Sequence, residues 1–582
     1  MTDPVTKESE VKIISNIDKK SITISKFKGI DCRTEKSDSL GSAFVKNFRF
    51  KHDGSLEKRE GYTQLASLPG IIRTVWTGIL EGSQRCFALV EDQIYEITSS
   101  GEALHMATAN TYTGKAELFC YRGKLYLIDT TGIYSVNKGS LSNPTGYVPL
   151  VGKMWKDGEV GEIYQPRNLI SNHARYSYIM GGNDYKLLFL DQPIVSVDAV
   201  YVNGIPLNTD EYYMASDTVI SIYTLKSYDR VTVAVTYPPR TDPTIEAYSC
   251  SHATVFGGAN NSRPFFWGNE NSPATMYSCG YVSDDDLAES KKFFPESDYF
   301  YLPQGSDFTV GDGQFPIRAV SRHYDRLLIF TEGGTWMADD PDCAFENRPP
   351  ININMNVGVS SDGAATPIEN QPCCVGNNAI WRWNSHTDEL NDCNAYSISD
   401  PIASHLPVEF YNDGNVFADA SRRELLFTSS ATIGKVWVYS IENNAWSCFE
   451  GIYANEFFNL FGKIGFFHAT VGGSYIYYFT HYAYTDMGEE IVATFESNIL
   501  DSEYDLPVRL SDISVKYSDG NLGVIIDTDT CTSKLSAYLP SLEKPCKKSF
   551  RANTGRAKNF KLRITAGGSE RQTLHSVGIK IK

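Results

Sequence analysis

No stretch of this 582-residue chain approaches the ~20 consecutive apolar residues that a helix needs to cross a bilayer. Its opening, Met1-Thr-Asp-Pro-Val-Thr-Lys-Glu-Ser-Glu10, lacks the apolar core of a secretory leader. Methionine is scarce, at 9 residues, and helical periodicity is scarcer. Twelve cysteines lie at irregular spacings from Cys32 to Cys546, with no Cys-x-x-Cys among them. That scatter reads as buried thiols made in a reducing cytoplasm, not as a disulfide framework. The adjacent pair Cys373 and Cys374 offers no easy bridge, and zinc has no ligand pattern.

Signatures of catalysis are missing too. None of the 10 histidines stands in a His-x-x-x-His or His-Glu-x-x-His spacing. His252, His323 and His468 fall in or beside apolar runs, and a structural role is the simpler reading for each. There is no Gly-x-Ser-x-Gly elbow and no phosphate-cradling Gly-x-x-x-x-Gly-Lys-Ser/Thr loop. Asp284-Asp285-Asp286 and the pair Asp527 and Asp529 come nearest to calcium ligands, without the spaced oxygens and closing Glu of a calcium loop. The first reads as a helix start and the second as a strand-end turn. The sequence therefore assigns no catalytic, cofactor-binding or metal-ligating residue, no cofactor and no enzymatic activity. A glycoside hydrolase needs two carboxylates across a cleft, and 70 acidic residues single out no pair.

What the chain does have is 35 Tyr, 30 Phe and 45 Gly, a mixture suited to pleated sheets joined by tight turns. One hairpin recurs in degenerate form. Arg85–Val90 turns into Gln93–Ile97, Lys124–Ile128 into Ile133–Val136, Arg326–Phe330 into Thr335–Met337, and Glu424–Phe427 into Lys435–Tyr439, while Gly473–Phe479 looks like one more strand of the kind. Hairpins ~35–50 residues apart predict a radial array of four-stranded blades, six to eight of them for this length. Trp336, Trp437 and Trp446 are expected to fill gaps between blades, not to form a ligand cage. One helix is expected, over Ser283–Phe294, ended by Pro295.

Two stretches break the pattern. Residues 186–240 alternate around the turn Asn203-Gly204 and end at Pro238-Pro239, which reads as an inserted immunoglobulin-like β-sandwich. Residues 491–582 alternate again, in Ile513–Tyr517, Leu522–Asp527, Phe560–Ile564 and Val577–Ile581, as a C-terminal β-sandwich would. The expected fold is all-β: an N-terminal arm over 1–21, expected to be flexible, then a β-propeller-like body in two parts, 22–185 and 241–490, around and before these modules.

The formal charge of −17 is unevenly spread. Residues 1–60 carry 13 basic and 10 acidic side chains, a balance of +3; residues 501–582 carry 14 and 9, a balance of +5; the middle holds −25. So acidic a body argues against gripping nucleic acid by its phosphates. The basic C-terminal module is expected to dock on an acidic neighbour, a further copy or an adaptor.

The order Phe27-Lys-Gly-Ile-Asp31, Ser42-Ala-Phe-Val-Lys-Asn-Phe-Arg49 and His52-Asp-Gly-Ser-Leu-Glu-Lys-Arg-Glu-Gly-Tyr62 is similar to the opening of a phage virion family. These are the tail nozzle or tail hub (packaged-DNA stabilisation) proteins of short-tailed bacteriophages. Tyr324–Glu332 with Trp336, Val357–Asp362 with Gly376–Trp381, and Phe550–Gly555 with Phe560–Ile564 extend the resemblance over 22–582. It implies a structural virion protein of the tail, synthesised in the host cytoplasm. Its partners would be further copies in a homohexameric ring, the portal and adaptor above, and tail fibre or spike proteins. Double-stranded DNA would pass through the ring without sequence-specific binding. Two other readings stay open: a receptor- or carbohydrate-binding tail protein, with Tyr and Trp stacking on sugars, and a propeller glycosidase.

Overall fold

In a computed structural model the chain is all-β. The structure describes residues 20–581 apart from 34–41, 110–113, 157–158, 160, 182–185, 240–244, 258–261, 339–348, 385–393, 502–506, 508, 530–534, 541–543 and 553–555. Residues 1–19 of the expected N-terminal arm, and Asn553–Gly555 of the last quoted motif, lie outside the described residues.

Alternating strands with one apolar face must bury that face against a neighbour, and the chain solves this seven times over. Among the described residues, seven four-stranded antiparallel units recur as propeller blades. Blade 1 runs Ile72–Leu80, Ser83–Val90, Gln93–Ile97 and Ala103–Thr108; blade 2 runs Ala116–Tyr121, Lys124–Asp129, Gly132–Asn137 and Ser140–Ser142. Blade 3 comprises His252–Phe256, Arg263–Trp267, Thr275–Ser278 and Asp307–Thr309, and blade 4 comprises Ile317–His323, Arg326–Thr331, Gly334–Ala338 and Ile351–Asn354. Ala365–Ile368, Gln371–Val375, Ile380–Trp383 and Ala395–Ser397 make blade 5; Asn415–Asp419, Glu424–Thr428, Lys435–Ser440 and Ala445–Glu450 make blade 6. Blade 7 takes three strands from late in the chain, Glu456–Leu460, Lys463–Thr470 and Gly473–Phe479, and its fourth, Tyr62–Leu68, from before blade 1. That borrowed strand closes the ring.

The first strand of each blade lies innermost. Those of blades 7, 1, 2 and 3 adjoin in turn, as do those of 4, 5, 6 and 7. Blades 3 and 4 join through a shared core of Phe265, Trp267, Ile317 and Ile329. Trp336 packs against that core, and Trp437 and Trp446 are buried where blade 6 meets blade 5, with Trp446 Nε1 donating to Ile398 O at 2.6 Å.

The hairpins read from the sequence are the second and third strands of blades 1, 2, 4 and 6, and Gly473–Phe479 is the third strand of blade 7. The helix is shorter than expected, Asp284–Lys291, and lies between the third and fourth strands of blade 3; the Ser283 hydroxyl accepts from the Asp286 amide as its cap. Asp284–Asp286 are its first turn.

Between blades 2 and 3, a five-stranded and a three-stranded sheet are built from residues 150–236 and enclose their own core around Tyr176, Val200, Ile220 and Val233. The stretch read as an inserted module therefore has companions upstream: Leu150–Lys156 pairs with His173–Ile179, which pairs with Arg230–Thr236.

The strands of residues 20–33 and 42–58 do not sit in the first blade. Phe48–Phe50, Leu56–Lys58 and Lys20–Ile24 join a sheet with Leu510–Ser518, Cys546–Arg551 and Thr573–Ile581. Ser42–Lys46 lies between the outer strand of blade 6 and Ala493–Ser497, so that blade 6 continues without a break into the second C-terminal sheet. The two sheets face each other across Phe48, Phe495, Val515 and Ile564 in a core shared with blades 4, 5 and 6. Nine described cysteines are free thiols, six of them buried.

Candidate functional site

The innermost strands start at one mouth of the propeller axis, and there they gather charge. Glu117 comes from blade 2, His252 from blade 3, Arg318 from blade 4 and Glu456 from blade 7; Asp362 stands in the segment entering blade 5. His252 Nδ1 is 3.3 Å from Glu117 Oε2 and its Nε2 is 3.7 Å from Asp362 Oδ2. Its ring stacks on Trp267 at 5.6 Å. Arg318 reaches Asp362 at 3.3 Å and Glu332 at 2.6 Å, and Lys115 of blade 2 also bonds Asp362.

Burial pushes the His252 imidazole down, but Asp362 and Glu117 outweigh it and raise its pKa from 6.5 to about 9. Burial likewise raises the Asp362 carboxyl, and the cations around it reverse the sign and leave it well below its ordinary range. Glu456 has no such cation. Burial, with Glu117 beside it, lifts it from 4.5 to about 7.

Blades 2 and 5 are not neighbours in the ring, so Lys115 and His252 bonding Asp362 draw opposite sides of the mouth together. A duplex whose major groove alone is about 12 Å wide has no passage along this axis. Any DNA conduit would have to lie between copies.

At the opposite end, where the innermost strands turn outward, blades 6, 7 and 1 enclose a cleft of about 490 Å³. Gln84 and Arg85, Asp419 and Arg422, Asn459 and Phe461 line it. Arg85 is already paired with Glu96, and Arg422 with Glu60 at 2.5 Å. Among the described residues, no group of three His, Cys, Asp or Glu side chains is placed to hold a metal ion.

Much of the opening motif lies behind that cleft, with Asn47, Arg49 and Arg59 buried and His52 and Asp53 exposed. Arg59 is fully buried and grips Asp486 with both terminal nitrogens, at 2.8 and 2.5 Å. Its Nε donates to Asn47 Oδ1 at 3.0 Å and its Nη2 to Glu450 O at 3.0 Å. Arg49 bonds Glu60 at 3.1 Å and also Glu424, with its guanidinium 4.8 Å from the Phe449 ring. Burial drives both carboxyls up: Glu424 stays raised, whereas Arg49 and Arg422 together bring Glu60 below its ordinary value. Asn47, at φ 54°, accepts the Glu450 amide on its side chain and donates to Val492 O. One short motif thus ties blades 6 and 7 to the C-terminal sheets.

The other histidines singled out have structural partners. His323 is buried with Nδ1 2.8 Å from Asn370 O, and His468 packs on Tyr453. Asp529 accepts the Lys558 and Asn559 amides at a strand end. The axial cluster had no signature in the sequence, because its members come from five separate places and only ring closure unites them.

No protein-family model and no curated protein sequence matches the chain. Among solved structures it is similar to a virginiamycin B lyase from Staphylococcus aureus, at 9% identity and a TM-score of 0.37, over 72% of this chain and 98% of that one. It is also similar to the AfRom2 CNH domain, at 8% identity and a TM-score of 0.35, over 72% and 100%. PorZ, a surface component of the type-IX secretion system of Porphyromonas gingivalis, aligns at 10% identity and a TM-score of 0.33, over 86% and 48%.

Proposed function

We propose that this chain is a non-enzymatic structural protein of a short-tailed phage tail, a subunit of the ring-shaped nozzle or hub that retains packaged DNA below the portal and adaptor and conducts it at ejection. The observation that carries this reading is the place of the motif. Asn47, Arg49, Arg59 and Gly61, which help to bear the resemblance, are buried with the half-buried Glu60 in the clasp of the molecule, while His52 and Asp53 of the same motif stand exposed at the turn between two strands. A clasp that specifies how propeller and sandwich are joined is what a family defined by architecture would share. The acidic body supports the same reading, because a wall that repels phosphate lets DNA slide.

Mass photometry and negative-stain microscopy of the purified chain, alone and with adaptor-bearing tail intermediates, test it. Sixfold rings with a central channel in either condition are expected. A chain that joins no tail in both conditions overturns the reading.

The cleft between blades 6, 7 and 1 favours a second reading, a receptor- or carbohydrate-binding tail protein. Its volume falls within the range of small-ligand sites, and Gln84, Asn459 and Arg85 beside Phe461 suit a sugar. Saturable binding in a glycan screen, lost in Asn459→Ala, would favour it.

A further inference from the structure

The C-terminal sheet that carries Leu510–Ser518 is covered on its outward face near Ser518 and Thr573, but around Asp512–Lys516 nothing packs on that face among the described residues. Ile513, Val515 and Tyr517 point into the shared core, so Asp512, Ser514 and Lys516 point away from the molecule. Across the sheet the outward positions are small: Ser549 stands opposite Ser514, and Gly578 opposite Ser514 on the other side. The result is a flat platform, and its border is basic. Lys516 lies directly opposite Lys547, a like-charged cross-strand pair that repels itself unless something anionic covers it. Arg551 and Lys580 flank the single acid, Asp512. Lys516, Lys547, Arg551 and Lys580 are exposed, and none has an ion-pair partner among the described residues. Among the described residues Cys546–Arg551 is also the last strand of its sheet, with no strand paired on its outer edge.

The opposite charge lies far around the ring. Residues 269–313, which build the outer half of blade 3 and its helix, hold nine acidic and two basic side chains. Asp284, Asp285, Asp307 and Asp312 among them are exposed. The basic platform is joined to the ring at blade 6, and blades 3 and 6 are as far apart as two blades in a ring of seven can be. Within one chain the strand order attaches these two surfaces to different blades, and a contact between two chains joins them without rearrangement.

We propose that the outer face of the C-terminal sheet docks on the acidic outer rim of blade 3 of a second copy, head to tail. Such a contact uses two different faces of one chain, so each copy keeps a free face of either kind and the assembly continues until it closes. The inference deepens the nozzle reading by naming the surfaces of its ring, yet it stands or falls by itself.

Sedimentation velocity of the full chain, over a range of concentrations, tests it. At low salt, self-association is expected. It should fade at about 1 M salt, where the Debye length is only about 3 Å. Lys516→Glu with Lys547→Glu should weaken association by roughly tenfold or more, as should Asp284→Lys with Asp285→Lys. One chain carrying all four changes should regain it, because each reversed face meets a reversed partner. All four side chains are exposed, and the melting temperature serves as the check on folding. A wild-type chain that stays monomeric at low salt up to its solubility limit overturns the proposal. So do folded reversals that associate as well as wild type, and so does a fourfold variant that stays dissociated. Binding of a duplex DNA fragment that the Lys516→Glu, Lys547→Glu variant loses, with no self-association, would overturn it in favour of a polyanion site. Association that obeys every charge change while the particles join no tail would leave this inference standing and remove the nozzle reading.

Discussion

Arg59 shows how much one side chain can carry. It is wholly buried, and all of its charge-bearing nitrogens are spent on Asp486, Asn47 and the Glu450 and Glu60 carbonyls. Removing one member of a buried pair leaves the other without compensation, at a cost of about 3–5 kcal/mol. Arg59→Ala should therefore lower the denaturation midpoint sharply. A midpoint within error of wild type would mean the clasp is not structural. Gly61, two residues on, has no room at all: a β-carbon there would lie 1.9 Å from Thr485 O. Gly61→Ala must displace backbone and should cost about 1–3 kcal/mol, read as a lowered melting temperature.

The axial charges predict a pH dependence at the same scale. His252 has its pKa raised from 6.5 to about 9, so its contribution is complete below 6.5 and lost as pH climbs to 9. Glu456 is raised from 4.5 to about 7; the folded state favours its protonated form, and stability falls as pH rises through that window. Both act in one direction, and they are expected to lower the melting temperature between pH 5 and pH 9; His405, His468 and His575, lowered by burial, work the other way, but only below 6.5. Lys58, buried and lowered from 10.5 to about 8, works the other way, but only above about 8. Glu456→Gln should flatten the lower half of the profile and His252→Gln the upper half. Unchanged slopes in both variants would refute the assignment.

Among the elements, the strand Tyr62–Leu68 matters out of proportion to its seven residues. It pairs antiparallel with Gly473–Phe479, with Ala66 opposite Ile476 and a register shift at Leu65, and joins the two ends of the ring. A proline there removes a ladder donor in the middle of the seam. Ala66→Pro should open blade 7, seen as new protease cleavage near residues 60–72 and a loss of about 3 kcal/mol or more; resistance equal to wild type would mean that the ring closes elsewhere. Legibility varied from element to element for concrete reasons. Second and third strands of blades 1, 2 and 4 are apolar runs of five to eight residues joined by two-residue turns, and those of blade 6 are apolar runs of five and six residues, so each hairpin announces itself. Blade 3 is harder to see because its helix and loops separate Thr275–Ser278 from Asp307–Thr309. In blade 5 the strands are only three to five residues long. Nothing local distinguishes the strand that closes blade 7 from one that opens blade 1.

For the molecule as a whole, the C-terminal sheets are not a detachable module. Cutting the chain at residue 490 would strip Ala493–Ser497 from Ser42–Lys46 and Thr573–Ile581 from Leu56–Lys58, laying open the core around Phe48, Phe495 and Ile564. Such a chain is expected to aggregate rather than fold, as static light scattering would show. A folded, monodisperse product would mean that the shared core is dispensable. Point reversals on the basic face are for this reason the sounder probe of docking.

The sequence by itself determined the all-β class, the hairpin unit and its turns, the helix that starts after Ser283 and the uneven charge, because each follows from residues within a few positions of one another. Only the tertiary structure decided that seven blades close, that a strand from before blade 1 completes the last, and that the strands of residues 20–33 and 42–58 belong with the C-terminal sheets. It alone brought Glu117, His252, Arg318, Asp362 and Glu456 to one axial mouth. Strand partners and charge clusters of that kind are chosen by three-dimensional closure, and a pairing between residues hundreds of positions apart leaves no local trace in either of them.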